Sequence, residues 1–259
     1  MAEIYVGTSG YSYDDWREHY YPPGLNKGKR LEFYAREFSF VEVNSSYYTL
    51  LRPEVFRQLA AKTPPGFIFT VKGYKSFTHE RGAEVAEDVK KFCFSLAPLL
   101  EKGKLGAVLL QFPYSFPGRP ENKNYLAFLR EALGSLPAVA EFRHQSWVRE
   151  ETWEFLRGLG FGYVCVDEPE LKGLVGRAAV CTAPVAYVRF HGRNREKWWR
   201  HEQAYERYDY LYTEDELREW MPGIRSLAGE ANQVFVAFNN HYRGQAVHNA
   251  RQLKQMLGL

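Results

Sequence analysis

The sequence predicts an α/β fold of one kind, a closed, parallel, eight-stranded (β/α)8 barrel of the TIM type, and three observations carry that prediction. Eight short apolar runs alternate along the chain with helical patterns. Most of those runs stop on polar or ionisable residues at the same end, as they must if a barrel gathers a site on its C-terminal face. The length, 259 residues and 30.1 kDa, also matches the roughly 250 residues typical of one such barrel.

The first strand is expected over 4–8, followed by a long connection rich in Tyr, Trp, Gly and Pro and a helix over 31–38. The second strand, 40–44, ends on Asn44, and Pro53 then sits at a first helical position ahead of Val55, Phe56, Leu59 and Ala60. Strand three, 67–72, ends on Lys72. Val85, Val89, Phe92, Leu96 and Leu99 step by three or four, which predicts one amphipathic helix kinked at Pro98 and stopped at Gly103. Strand four, 107–111, ends on Gln111, and Leu126, Leu129 and Leu133 mark the next helix. Strand five, 139–144, ends on Arg143 and His144, and Phe155, Leu156 and Leu159 follow. Strand six covers 162–166, and the unit after it, 167–184, is irregular because no helical period appears there. Strand seven, 187–191, ends on His191, and Thr213 with Glu216 forms a capping box that opens the seventh helix. Strand eight, 234–241, ends on Asn239, Asn240 and His241, with Ala246, Ala250, Leu253 and Leu257 behind it. No linker divides the chain, so 1–259 reads as a single domain.

Composition excludes several classes. Hydrophobic residues make up 45% and aromatics 16%, which supports a large core and argues against disorder. The net charge of +3, from 34 basic and 31 acidic residues, is too small to indicate a bulk-basic nucleic-acid binder. Cys93, Cys165 and Cys181 form no Cys-x-x-Cys pair and read as buried packing rather than a disulfide framework or thiolate zinc site. No apolar stretch nears the ~20 residues of a membrane span and the start lacks a leader pattern, so a soluble, cytoplasmic protein without a membrane partner is expected. A dinucleotide fold is disfavoured, since no Gly-x-Gly-x-x-Gly follows the first strand.

Seven segments resemble the YecE-like family, domain of unknown function family 72. They are Tyr5-Val-Gly-Thr-Ser-Gly10 with Trp16, Tyr21 and Pro22; Val41-Glu-Val-Asn-Ser-Ser-Tyr-Tyr48; Phe69-Thr-Val-Lys72 with Thr78 and His79; Leu110-Gln-Phe-Pro113; Glu141-Phe-Arg-His-Gln-Ser-Trp147; Val188-Arg-Phe-His-Gly192; and Phe238-Asn-Asn-His241. Ser46 departs from the threonine common in relatives but keeps the hydroxyl. The resemblance implies a TIM-type barrel broadly similar to the sugar-isomerase and endonuclease IV barrels, and it supplies no reaction.

Side-chain alternation then sorts the candidate residues. Glu141 and Arg143 lie two apart, as do Glu42 and Asn44, Thr70 and Lys72, and Arg189 and His191, so each pair shares a face. Charges on strands whose outer face is covered by helices belong inside, at the upper rim. Glu141 is the first choice for proton transfer, with Glu42 second and His191 as a further catalytic candidate. Lys72, Arg143 and Arg189 converge as three cations, which either hold an anion or are neutralised by Glu42 and Glu141. Asn44, Gln111, Asn239 and Asn240 are expected to fix polar groups of a ligand, with His79 and Trp147 as further binding candidates. A divalent metal held by His79, His144, His191 and His241 with Glu42, Glu141 and Asp167 is not favoured, since no ligand spacing supports it. Two connections should overhang the same face: one carries Tyr11 and Trp16, the other the basic, aromatic run with Trp198 and Trp199. Such a loop is either a nucleobase-stacking platform or a self-packed lid, and the acidic residues Glu196, Glu202 and Glu206 favour the lid. The expected function is acid–base catalysis on a small anionic ligand (a phosphorylated sugar, nucleotide or nucleic-acid end), and the alternative is a nucleic-acid-binding barrel without turnover.

Overall fold

The computed structural model describes residues 2–259. Its strands are β1 (Glu3–Ser9), β2 (Phe40–Val43), β3 (Ile68–Lys72), β4 (Leu105–Gln111), β5 (Ala138–Glu141), β6 (Phe161–Asp167), β7 (Val185–Phe190) and β8 (Gln233–Phe238). All neighbours pair in parallel and β8 closes on β1, so the sheet is a complete barrel in chain order. The helices are α1 (Arg30–Tyr34), α2 (Pro53–Ala61), α3 (Val85–Ser95), α4 (Ala97–Glu101), α5 (Pro120–Leu133), α6 (Glu150–Leu159), α7 (Glu214–Arg218), α8 (Met221–Glu230) and α9 (Gln245–Leu257). As predicted, no helix forms between β6 and β7.

The barrel interior has two layers of different chemistry. At the bottom, Tyr5 stacks on Phe235 with centroids 5.0 Å apart, and Phe40 and Tyr187 close the plug from β2 and β7. One alternation step up the same strands stand Glu42 and Arg189, so the period of two that buries the aromatics also buries the charges. Below the rim, Lys104 lies under α2 and donates to Ala60 O, Thr63 O, Thr63 Oγ1 and Pro64 O at 2.8–2.9 Å, satisfying carbonyls at the helix end.

Several boundaries differ from expectation for identifiable reasons. The expected single helix over 85–99 is two, because Pro98 falls in the first turn of α4, where its missing N–H costs nothing. Strand β5 ends at Glu141 and β8 at Phe238, so Arg143, Asn239 and Asn240 lie just past the ladder. A short π-helical turn, Ser76–Glu80, was not anticipated, and it carries His79. The capping box at Thr213 is present, but α7 lasts five residues and α8 follows it. Cys165 is fully buried and accepts the Val180 N–H, and burial pushes its thiol up to about 12, so it is an inert packing residue.

Gly106 reports the tightness of the plug. A Cβ there would lie 2.5 Å from Phe235 Cζ and 2.7 Å from Ile68 Cγ2. Gly106→Ala is therefore expected to cost about 1–3 kcal/mol by overpacking, seen as a lower urea midpoint. A variant of unchanged midpoint would mean that the plug is loose.

Candidate functional site

The ionic layer is centred on Arg189. Its guanidinium grips Glu42 with two bonds, Nε to Oε2 at 2.9 Å and Nη2 to Oε1 at 2.6 Å, and reaches Glu141 Oε2 from Nη1 at 2.7 Å. Tyr187, one step below on β7, donates to Glu42 Oε2 at 2.8 Å and shares a 2.7 Å hydrogen bond with Thr70. Arg143 forms the second half of the layer, with Nη1 2.6 Å from Glu168 Oε2 and Nη2 2.5 Å from Glu141 Oε1. That Glu141 oxygen makes no well-angled hydrogen bond, so its contact with Arg143 is chiefly ionic. Burial pushes the Glu141 carboxyl up, but Arg143 and Arg189 outweigh it and hold it well below the usual carboxylate range. A carboxylate held in that state is a poor proton donor and a weak base. Glu141, the first choice for proton transfer, is thus held between two guanidinium groups, and Glu42 is occupied twice by Arg189 and once by Tyr187.

His191 is sealed in the same layer. Its Nε2 lies 2.9 Å from Arg143 Nη2 and 3.2 Å from Glu141 Oε1, and its Nδ1 lies 3.1 Å from Asn239 Nδ2. Burial and then the Arg143 charge drop its pKa to about 3. A pKa that low leaves the ring neutral at physiological pH, held between Arg143 and Asn239.

Lys72 differs from the other two cations. No carboxylate among the described residues lies within ion-pairing distance of it. Its Nζ donates to Gln111 Oε1 at 2.9 Å and stands 4.5 Å from the centroid of the Tyr47 ring. Burial, followed by repulsion from Arg189, lowers its pKa to about 8. The three expected cations therefore divide: Arg143 and Arg189 are ion-paired with Glu42, Glu141 and Glu168, and of the three Lys72 alone has no ion-paired carboxylate. Ser46, at the position of the threonine-to-serine departure, uses its hydroxyl to bind Lys72 O at 2.6 Å and so ties β2 to the end of β3.

Above this floor lies a cavity of about 450 Å³ whose walls include Tyr11, Tyr13, Asn44, Tyr47, Lys72, Gln111, Arg143, Arg189, Tyr208, Asn239 and His241. A side chamber of about 270 Å³ continues under the lid, lined by His79, Tyr114, Trp198, Trp199 and Arg207. Tyr47, Lys72, Gln111, Arg143 and Tyr208 border both. Three expected binding residues are elsewhere. Trp147 is fully buried, stacked on Phe142 at 4.2 Å, with its indole N–H on Phe116 O. Trp16 is likewise buried and donates to His241 O, holding the wall from behind. Asn240 points away from the cavity and bonds Tyr210 O and Asn249 Oδ1. All three were drawn in by sequence position, which does not distinguish a wall from its backing. Conversely, Tyr47 and Glu168 were missed: Tyr47 sits in a turn after β2 without strand periodicity, and Glu168 opens the irregular segment.

The lid divides the two expected tryptophans. Trp198 is 3% exposed, between Arg143 at 5.8 Å and Arg207 at 5.4 Å, whereas Trp199 is 52% exposed and meets Tyr114 edge-on at 5.4 Å. Arg193 is locked to Asp167, which also accepts from Tyr212 and Trp220 at 2.7 Å, so the lid's base is rigidly anchored. Burial and then Lys72 lower His79 to about 4. His191 lies beside Glu141, but among the described residues no three His, Cys, Asp or Glu side chains group as a metal site. Glu42 and Glu141 already hold guanidinium groups, so this donor set does not fit a divalent cation without displacing Arg189.

The two kinds of cation respond oppositely to removal. Arg189→Met leaves buried Glu42 without an ion-pair partner and Glu141 with Arg143 alone, and is expected to cost about 3–5 kcal/mol. Lys72→Met removes a desolvated charge and is expected to stabilise the protein at pH 7 by about 1–3 kcal/mol. Because the folded pKa of Lys72 lies below its unfolded value, the parent's penalty is full below about pH 8 and shrinks as pH rises towards 10.5. The advantage of Lys72→Met should therefore fade over that window. Denaturant midpoints at pH 7 and pH 10 check both; a Lys72→Met variant less stable than the parent at pH 7 contradicts the assignment.

The chain matches the family model described as "Protein of unknown function DUF72" over residues 5–259. It is 34% identical to the UPF0759 protein YunF of Bacillus subtilis, covering 99% of this chain and 95% of that one. It is 30% identical to the UPF0759 protein YecE of Escherichia coli O157:H7 over 63% of this chain and 59% of the relative. Among solved structures, the DUF72 family protein TM1631 of Thermotoga maritima superposes with a TM-score of 0.92 at 44% identity, covering 99% of this chain and 100% of that chain. The DUF72 family protein EF0366 of Enterococcus faecalis gives 0.88 at 31%, covering 99% and 96%. Sequence and architecture agree over the whole barrel, and the chain belongs to the DUF72 family.

Proposed function

We propose that this barrel is an enzyme that acts by proton transfer on a small anionic, polar substrate of the phosphorylated-sugar or nucleotide class, bound at the C-terminal mouth. The observation that carries the reading is Lys72: a cation without a carboxylate partner, at the junction of two cavities, with its pKa drawn to about 8. An uncompensated, desolvated ammonium attracts an anion, and a pKa near the working pH suits a group that gives and takes a proton. Arg143 and Arg189 line the floor as guanidinium groups already ion-paired to carboxylates, and Asn44, Gln111 and Asn239 supply polar contacts around the opening. The tyrosine walls suit a sugar or base ring.

The nucleic-acid-binding alternative draws support from exposed Trp199 beside Arg207. It is weakened because Lys197 is paired with Glu206 and Arg193 with Asp167, which dilutes the basic loop.

Sulfate or inorganic phosphate should raise the melting temperature of the parent at pH 7, by an amount that follows mass action. Chloride at equal ionic strength should not. The gain should be largely lost in Lys72→Met and should decline in the parent as pH passes 8. Absence of protection in a folded parent contradicts the proposal, whereas oligonucleotide binding that falls steeply with salt and ignores phosphate favours the alternative.

A further inference from the structure

Two lysines of the described residues have their amines drawn into the protein, Lys104 buried and Lys72 half-buried, and their surroundings differ. Lys104 donates to four oxygen acceptors, all from the chain around the end of α2. Its ammonium is fully occupied, which makes it a structural group. Lys72 has one hydrogen-bond partner, Gln111 Oε1, and an aromatic face, Tyr47, and borders both chambers of the mouth. The charged or titratable groups around it are Arg189, Glu42, Glu141 and Arg143, with His79 at the rim. Both guanidiniums and both carboxylates are engaged with one another, so neither carboxylate is ion-paired with the amine, although each raises its pKa from a distance.

We propose that Lys72 is a covalent site, whose amine condenses with the carbonyl carbon of an aldehyde or ketone that also bears an anionic group. The lone pair of Nζ forms the new C–N bond as the carbonyl π pair moves to oxygen. Both amine hydrogens then leave with that oxygen as one molecule of water. The product is an imine between Lys72 and the ligand, with no change of oxidation state. The shift of Lys72 towards pH 8 supplies a larger share of free amine at neutral pH than an exposed lysine has. Arg143, bordering both chambers, lies where it can face the ligand's anionic group, and Gln111 Oε1 orients the nitrogen. This inference rests on the reading of the mouth as an anionic-ligand site and narrows the substrate to a carbonyl compound.

The test is reductive trapping. The full-length protein is incubated at pH 7.5 with 2-phosphoglycolaldehyde and sodium cyanoborohydride, which converts an imine to a stable secondary amine, and labelled peptides are quantified by mass spectrometry. Labelling of Lys72 should be at least about tenfold faster than that of exposed Lys90 and Lys102, reflecting its larger free-amine fraction, and excess sulfate should slow it. Lys72→Arg should keep sulfate protection in a melting assay and lose that label. If Lys72 is labelled no faster than Lys90 and Lys102 while sulfate still protects the parent, the imine is overturned and the anion site stands. If sulfate does not protect either, both fall. The comparison is made within the parent chain, so it holds even if the variant folds poorly.

Discussion

The rest of the structure depends on Arg189, clamped between Glu42 and Glu141 in the middle of the barrel. The arrangement joins β2, β5 and β7 across the interior, and Arg143 extends it to Glu168 beyond β6. Taking these ions out of water costs several kcal/mol each, and the geometry recovers it through a bidentate contact and the added hydrogen bond from Tyr187. Hydrophobic filling could close a barrel equally well. A charged layer instead gives the mouth a floor that is polar and rigid, with Glu42, Glu141 and Glu168 gathered about the guanidinium groups of Arg143 and Arg189.

The pairing of Glu42 and Glu141 with the arginines leaves Lys72 without an ion-pair partner. If either carboxylate were free, the ammonium would pair with it and return to an ordinary lysine. With both occupied, it feels burial and the repulsion of Arg189. The surrounding histidines add no competing titration near neutrality, since His79 and His191 fall to about 4 and about 3. The mouth thus contains one cation poised near physiological pH above groups fixed in their charge states.

The barrel was legible because strand period, helix period and polar strand ends all agree along the chain. The convergence of Glu42, Lys72, Glu141, Arg143 and Arg189 was equally legible, because an inward face on a parallel strand leaves a charge nowhere else to go. Which charge pairs with which was not, since it depends on reach across the barrel: Arg189 contacts residues 147 and 48 positions away. Glu168, which completes the pairing of Arg143, lies in a segment without periodicity. Trp16, Trp147 and Asn240 show the opposite failure, where residues near strand ends or inside a family motif turn out to support the wall from behind. The split of 85–99 into α3 and α4 has a simple cause in Pro98, which is tolerated at a helix start and not in its middle.

The central claim is that Lys72 is a lysine without an ion-paired carboxylate above the ionic layer, and its titration curve tests that claim most directly. Following the Lys72 side-chain Cε and Nζ resonances by NMR from pH 6 to 11 should give a single transition near pH 8, well below the ordinary lysine value. A transition at or above about 10.4 would mean that the amine is either solvated or paired with a carboxylate, and would contradict the account.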